Sequence, residues 1–261
     1  MAEGYAKAIG GKVYYRIYGK NKKRIPLVLI HGGPGFQGTL AYLSPLSKTR
    51  PVIVYHQLGC GKSDRPENKK LWEVERFVDE VEKLRVALKL NRINILGHSW
   101  GATVAAEYVL LHPQKVKSLI LASPFLSTNL WQRDANNLIP QLPAKFKKAI
   151  VNGTKTGNFK SKAYKDATKE YYKRHSITIP RPPLSKLSLK LGNAKIYEYM
   201  WGPNEFTCTG TLKNYDIVPK LSKIKIPVLL TYGKYDMVSS KTIQAFKSKL
   251  QNSKSVMFTK S

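Results

Sequence analysis

Gly97-His98-Ser99-Trp100-Gly101 reads G-x-S-x-G, a spacing suited to nucleophilic serine chemistry. It lies between the apolar stretch Ile93 to Leu96 and a segment carrying the small residues Ala102, Ala105 and Ala106. A serine on a strand-to-helix turn is forced into a strained backbone that only small neighbours such as Gly97 and Gly101 permit, and the turn lifts its hydroxyl above the sheet. The helix N-terminus behind it favours developing negative charge. Ser99 is therefore the candidate nucleophile. His31-Gly32-Gly33-Pro34-Gly35 follows the apolar run PLVLI, where an acyl oxygen could approach the backbone closely. Gly33 is the candidate for one oxyanion donor and Trp100, directly after the nucleophile, for the other. The acid should follow a late strand in the order Ser, acid, His, as Asp236 in Tyr232-Gly233-Lys234-Tyr235-Asp236 does. Asp216, which precedes that strand, is the weaker rival.

A serine hydroxyl is a poor nucleophile until a base takes its proton, and the acid orients that base. The five histidines are His31 in the glycine loop, His56 at a strand end, His98 beside the nucleophile, His112 at a helix end and His175 in a long central span. None follows Asp236. The base is expected in a loop just after the strand Ser255 to Thr259, whereas the sequence runs only to Ser261. This reads as a truncation before the histidine and before the helix that normally covers the sheet. Such a chain should be nearly inactive, because losing one triad member costs on the order of 10⁴ to 10⁶ in rate.

The elements that must position these groups follow from periodicity. Lys12 to Tyr18 alternates as a strand does, and Pro26 to Ile30, Pro51 to Tyr55, Arg92 to Leu96, Lys117 to Ala122 and Pro227 to Tyr232 are apolar runs of strand length. Helical spacing appears over Glu73 to Leu90, Ala102 to Leu111 and Lys241 to Leu250. Strand and helix alternate, which predicts an α/β fold with a mostly parallel central sheet. Between Leu126 and Tyr215 the rhythm is lost, apart from helical pieces such as Tyr164 to Arg174. A span of that size predicts a lid: residues 1–125 and 216–261 form the core, and 126–215 a helical insertion.

Composition narrows the setting. Cys60 and Cys208 stand alone, which signals neither a disulfide framework nor a zinc site, and no metal or cofactor is implied. No run approaches the roughly 18 apolar residues of a membrane helix, and the N-terminus lacks the order of a signal peptide, so a cytosolic protein without membrane insertion is expected. Lys plus Arg number 45 against 16 Asp plus Glu, a formal charge of +29. Leu126 to Tyr215 holds sixteen basic and five acidic residues, close to that span's share by length, so the charge reads as diffuse and predicts no specific nucleic-acid binding. Lys22-Lys23-Arg24 reads as a solvated turn.

HGGPG at His31 to Gly35, QLGCGKSDRP at Gln57 to Pro66, GHSWGA at Gly97 to Ala102, WGPNEF at Trp201 to Phe206 and the Asp236 loop together resemble the proline iminopeptidase family of α/β-hydrolases. The resemblance runs over nearly the whole chain and is strongest to the tricorn-interacting aminopeptidase and amino-acid amidase branch. It implies a serine hydrolase that releases N-terminal residues from short peptides, or hydrolyses amino-acid amides, through an acyl-enzyme. It also implies that Glu205 is the lid glutamate holding the substrate's ammonium, with Tyr197 and Trp201 as further substrate-binding residues. Two departures accompany the missing histidine. His56 stands where the family has aspartate, which should loosen a local hydrogen-bond network. Met237 stands where the branch often has a second acid, leaving amine recognition to Glu205 alone. An esterase on the same scaffold and an inactive relative are the alternatives.

Overall fold

The computed structural model describes residues 1–20, 23–36, 40–175 and 191–261; Lys22 of the basic run and the 176–190 part of the central span lie outside the described residues. The chain opens with a hairpin, β1 (Ala2–Ala8) and β2 (Gly11–Tyr18), whose turn is made by Gly10 at φ +91°. The alternation of Lys12 to Tyr18 anticipates β2 but not β1, which buries only the small side chains of Ala6 and Ala8 and so carries little hydrophobic signal.

β3 (Leu27–Ile30) and β4 (Val52–Tyr55) are buried at every position, as their unbroken apolar sequence requires. β5 (Ile93–His98), β6 (Val116–Ala122), β7 (Val228–Gly233) and β8 (Ser253–Phe258) complete a sheet of eight strands among the described residues, in the order β1-β2-β4-β3-β5-β6-β7-β8. The hairpin joins antiparallel through β2 and β4, and every later pairing is parallel. The parallel strands therefore end side by side, and the loops after β3, β5, β6 and β7 share one rim.

Helices cover the sheet. α1 (Val74–Ala87) buries Phe77, Val78, Val81 and Leu84. α2 (Trp100–Leu111) is buried over most of its circumference, in keeping with a helix that is apolar nearly all round. Between β6 and β7 come α3 (Thr128–Asn136), α4 (Ala144–Thr156), α5 (Lys162–His175) and α6 (Ala194–Met200). This segment has its own small core of Ala135, Leu142, Ile150, Tyr164, Ala167, Tyr171 and Phe206. Its two ends are tied by a bridge between Ser127 and Asp216 and by Thr128 N–H donating to Tyr215 O at 2.9 Å. Asp216 is exposed and caps the turn that follows, accepting Val218 N–H at 3.0 Å. α7 (Ser240–Lys249) links β7 to β8, which lies at the sheet edge with Val256, Met257 and Phe258 exposed. No helix among the described residues is long and apolar enough to cross a membrane.

The tightest packing lies where α2 crosses β3. A Cβ at Gly101 would overlap Ile30 O and stand 2.6 Å from His31 O, and one at Gly97 would stand 2.6 Å from Gly101 C. These neighbours are backbone atoms that cannot rotate away. Gly101 has an ordinary helical φ, so Gly101→Ala gains helix propensity and isolates the packing effect. We expect a net loss of about 1–3 kcal/mol, read as a lowered urea midpoint; an unchanged or raised midpoint would contradict this close approach.

Candidate active site

Ser99 sits at the N-cap of α2 with φ +51° and ψ −119°, a conformation strained for any side chain. Three backbone bonds hold it there. Its N–H donates to Ala122 O at 2.9 Å, and its carbonyl accepts from Ala102 N–H at 2.9 Å and Phe125 N–H at 3.3 Å. The turn is thus pinned both to its own helix and to the end of β6. The Trp100 N–H belongs to the first turn of α2, where backbone donors have no acceptor within the helix.

The glycine loop after β3 is fastened from behind. Gln57 N–H donates to His31 Nε2 at 3.0 Å, which places the imidazole proton on Nδ1, 2.7 Å from its acceptor Gly32 O. The Gln57 side chain donates to His31 O at 2.9 Å and accepts the Trp100 Nε1–H at 3.0 Å. One fully buried amide therefore connects the loop carrying Gly33 to the residue after the nucleophile. Burial pushes His31 down to about 4, so the ring stays neutral, as this arrangement of donors requires.

Asp236 follows β7 on the other side of Ser99. Its carboxylate accepts Ser123 Oγ–H at 2.5 Å, Val238 N–H at 3.3 Å and Gly233 N–H at 3.4 Å. Ser123 is itself held at φ +44° at the end of β6, with its N–H on Thr231 O at 2.7 Å. Asp236 also borders an open cleft with Arg133, Asp134, Met237, Ser239 and Lys241. Among the described residues, no histidine hydrogen-bonds Ser99 or Asp236.

On the near side, a narrow pocket is lined by Gly33, Pro34, Ser99, Trp100, Phe125, Trp131, Tyr197, Trp201, Glu205 and Leu212. Glu205 is its one charged group. Tyr197 OH donates to Glu205 Oε1 at 2.7 Å, and Glu205 N–H donates to Tyr172 OH at 3.0 Å. Burial raises the Glu205 pKa, against the opposing effect of the Tyr197 hydroxyl that donates to it. Among the described residues no cationic side chain pairs with it. The same carboxylate adds to the burial that raises Tyr197, Tyr172 and Cys208. No cluster that could hold a metal ion occurs among the described residues.

A family model for the alpha/beta hydrolase fold matches residues 25–260. A proline iminopeptidase of Heyndrickxia coagulans is 40% identical over 262 residues, covering 99% of this chain and 91% of that protein. This chain is a member of the α/β-hydrolases, within the proline iminopeptidase family. Among solved structures, VinJ superposes with a TM-score of 0.92 at 25% identity, over 98% of this chain and 90% of the other. The Mycobacterium smegmatis proline iminopeptidase does so with a TM-score of 0.87 at 29% identity, over 98% and 90%.

Of the residues this iminopeptidase-family sequence nominates, Ser99, Trp100, Gly33, Tyr197, Trp201 and Glu205 line one pocket, and Asp236 stands outside it. The structure adds Phe125, Trp131 and Leu212 to the pocket wall, Tyr172 behind Glu205 and Ser123 on Asp236. Of the family departures, Met237 packs against the apolar side chains of the core. His56 was expected to loosen its loop; instead Nδ1 accepts Lys62 N–H at 2.9 Å, and burial pushes the ring down to about 3, keeping it an acceptor.

A carboxyl group whose pKa is raised in the folded state binds protons more tightly there than in the unfolded chain, so stability falls as pH rises through the raised value. The penalty is fully present above the raised value and is lost as pH falls toward the ordinary glutamate value of about 4.3. Glu205→Gln is therefore expected to melt higher than the parent at pH 7 to 8, the gap closing as pH falls. A parallel pair of melting curves across that range would show that Glu205 carries no burial penalty.

Proposed function

We propose that this chain binds the free amino end of a short peptide or amino-acid amide and holds its first carbonyl at Ser99 for acyl transfer. The observation that supports this most directly is Glu205: a carboxylate in an aromatic pocket shared with Ser99, with no cationic side chain beside it among the described residues. An ammonium would supply the missing charge through a charge-assisted hydrogen bond. An uncharged acyl group entering the same space would leave the carboxylate desolvated and unpaired, which disfavours the esterase reading. In this reading the apolar walls of Phe125, Trp131 and Trp201 receive the side of one residue, proline or another apolar one. In this reading residues 126–215 are the lid that closes over a core of 1–125 and 216–261.

The chemistry follows from the rim. Ser99 Oγ attacks the carbonyl carbon, and the N–H groups of Trp100 and Gly33 receive the charge that develops on its oxygen. Collapse of the tetrahedral species breaks the C–N bond, releases the amine and leaves an acyl-enzyme that water hydrolyses. The base is a histidine oriented by Asp236, a component that residues 1–261 do not supply after Asp236. Ser261 O accepts the Tyr235 N–H at 3.0 Å, so residues joined to Ser261 would stand beside the acid's loop.

Amine recognition can be tested without turnover. Calorimetric titration of the 261-residue chain with prolinamide should show binding that weakens at least tenfold in Glu205→Gln, the scale of one hydrogen bond to a charged group. The affinity should fade as acid protonates Glu205. Equal affinity for N-acetylated prolinamide would overturn amine recognition.

Turnover is tested separately by joining to Ser261 the C-terminal segment of a proline iminopeptidase relative. Hydrolysis of a prolyl reporter amide should rise on the order of 10⁴-fold or more and vanish in Ser99→Ala. Turnover by residues 1–261 that matches the extended chain would refute this assignment of the base.

A further inference from the structure

Lysine is spread evenly along the sequence, but helical periodicity sorts it in space. α4 and α5 pack against each other through Ile150, Tyr164, Ala167 and Tyr171, the absent side chain of Gly153 making room for the Tyr164 ring. Their outer faces carry what remains. Lys145, Lys148 and Lys155 form a stripe on α4, and Lys165, Lys169 and Lys173, spaced by four, form one on α5. All six are exposed. Residues 144–175 hold ten Lys and Arg against two acids, and both acids are engaged locally, Asp166 by Lys162 at 2.7 Å and Glu170 by Arg174 at 2.6 Å. None of the six lysines forms an ion pair among the described residues. Because the two helices pack through their inner sides, the two stripes lie on the outer side of one helix pair.

We propose that this lysine face of α4 and α5 docks double-stranded nucleic acid through its backbone phosphates, without reading bases. The chemistry of the face selects this partner. Single strands are held by stacking bases on exposed aromatic rings, and here Tyr164 and Tyr171 are buried. Bilayers hold a protein stably when a second signal, such as an inserted apolar group, accompanies basic charge; the one large exposed apolar side chain on this pair of helices is Val151. A duplex asks only for point charges. The α5 stripe spans about 12 Å, and a duplex carries one charge per roughly 1.7 Å of axis, so every lysine finds a phosphate in any register.

The test is fluorescence anisotropy of a short mixed-sequence DNA duplex titrated with the full chain, at salt from about 50 to 200 mM. Six phosphate contacts predict a slope of log K against log salt near −5. Lys165→Ala, Lys169→Ala and Lys173→Ala together should weaken binding at least tenfold at fixed salt and make the slope shallower by about 3. A control triple at the exposed Lys241, Lys249 and Lys254, which removes the same charge elsewhere, should change the slope by less than about 1. Equal losses in the two triples would mean that net charge alone binds the duplex, and would overturn the proposal. So would a wild-type slope near zero, or binding to phosphatidylserine vesicles in preference to the duplex. All six substituted positions are exposed, and unchanged melting temperatures verify folding.

Discussion

Everything at the rim of this sheet depends on how little room there is where β5 turns into α2. The turn must hold Ser99 in a conformation that side chains avoid, and it can do so only if α2 starts almost in contact with the end of β3. Gly97 and Gly101 supply that approach. Once the helix is seated, its first N–H groups, the glycine loop after β3 and the end of β6 fall within a few ångströms of one serine. Strain of order 1–3 kcal/mol is sustained because backbone bonds from Ala122, Ala102 and Phe125 over-determine the turn. Two side chains then extend this order outward. Gln57 joins the glycine loop to Trp100, and Ser123 joins the end of β6 to Asp236. Each spans two strand ends, so each transmits the position of one rim loop to the next.

The pocket obeys the opposite logic. Holding a carboxylate among Tyr197, Trp131, Trp201 and Phe125 weakens the fold, and the Tyr197 hydroxyl offsets only part of the desolvation. In the function proposed, Glu205 is half of an ion pair whose other half arrives with the ligand. Binding and stability are then linked: whatever neutralises Glu205 also stabilises the molecule.

What could be read from the residues alone divides along the range of the interactions. β3 to β7 were legible because fully buried strands are continuous apolar runs, and Ser99 because its spacing and flanking elements are local. β1 was missed because two alanines form its buried share. Ser123 was invisible: it is a lone serine whose importance lies in a bond to a residue 113 positions away. Phe125, Trp131 and Tyr172 were missed for the same reason, since their role exists only when the β6–β7 segment folds back over the rim. Glu205 was reached through family resemblance, because no property of a single glutamate in sequence tells a buried carboxylate from a solvated one. The charge reading was limited in a different way. Counting lysines over long spans averages out a 3.6-residue period, and the alignment on α4 and α5 survives only when the period is kept.

Charge works at two ranges in this molecule. At +29 the surface as a whole repels a cationic substrate, whereas the function proposed for the pocket is to take an ammonium. The conflict is resolved by screening. At physiological ionic strength a surface charge is felt over about 8 Å of solution, so an approaching amine meets only the nearest lysines. Inside the pocket, aromatic walls lower the local dielectric, and an ammonium in contact with Glu205 would interact more strongly and with less screening than one in solution. A peptide brings its own compensation, because its terminal carboxylate is drawn to the same lysines that repel its amine. In the proposed reading this separation of ranges would set the orientation: the anionic end of a peptide toward the basic exterior and its cationic end toward Glu205, with the first carbonyl at Ser99.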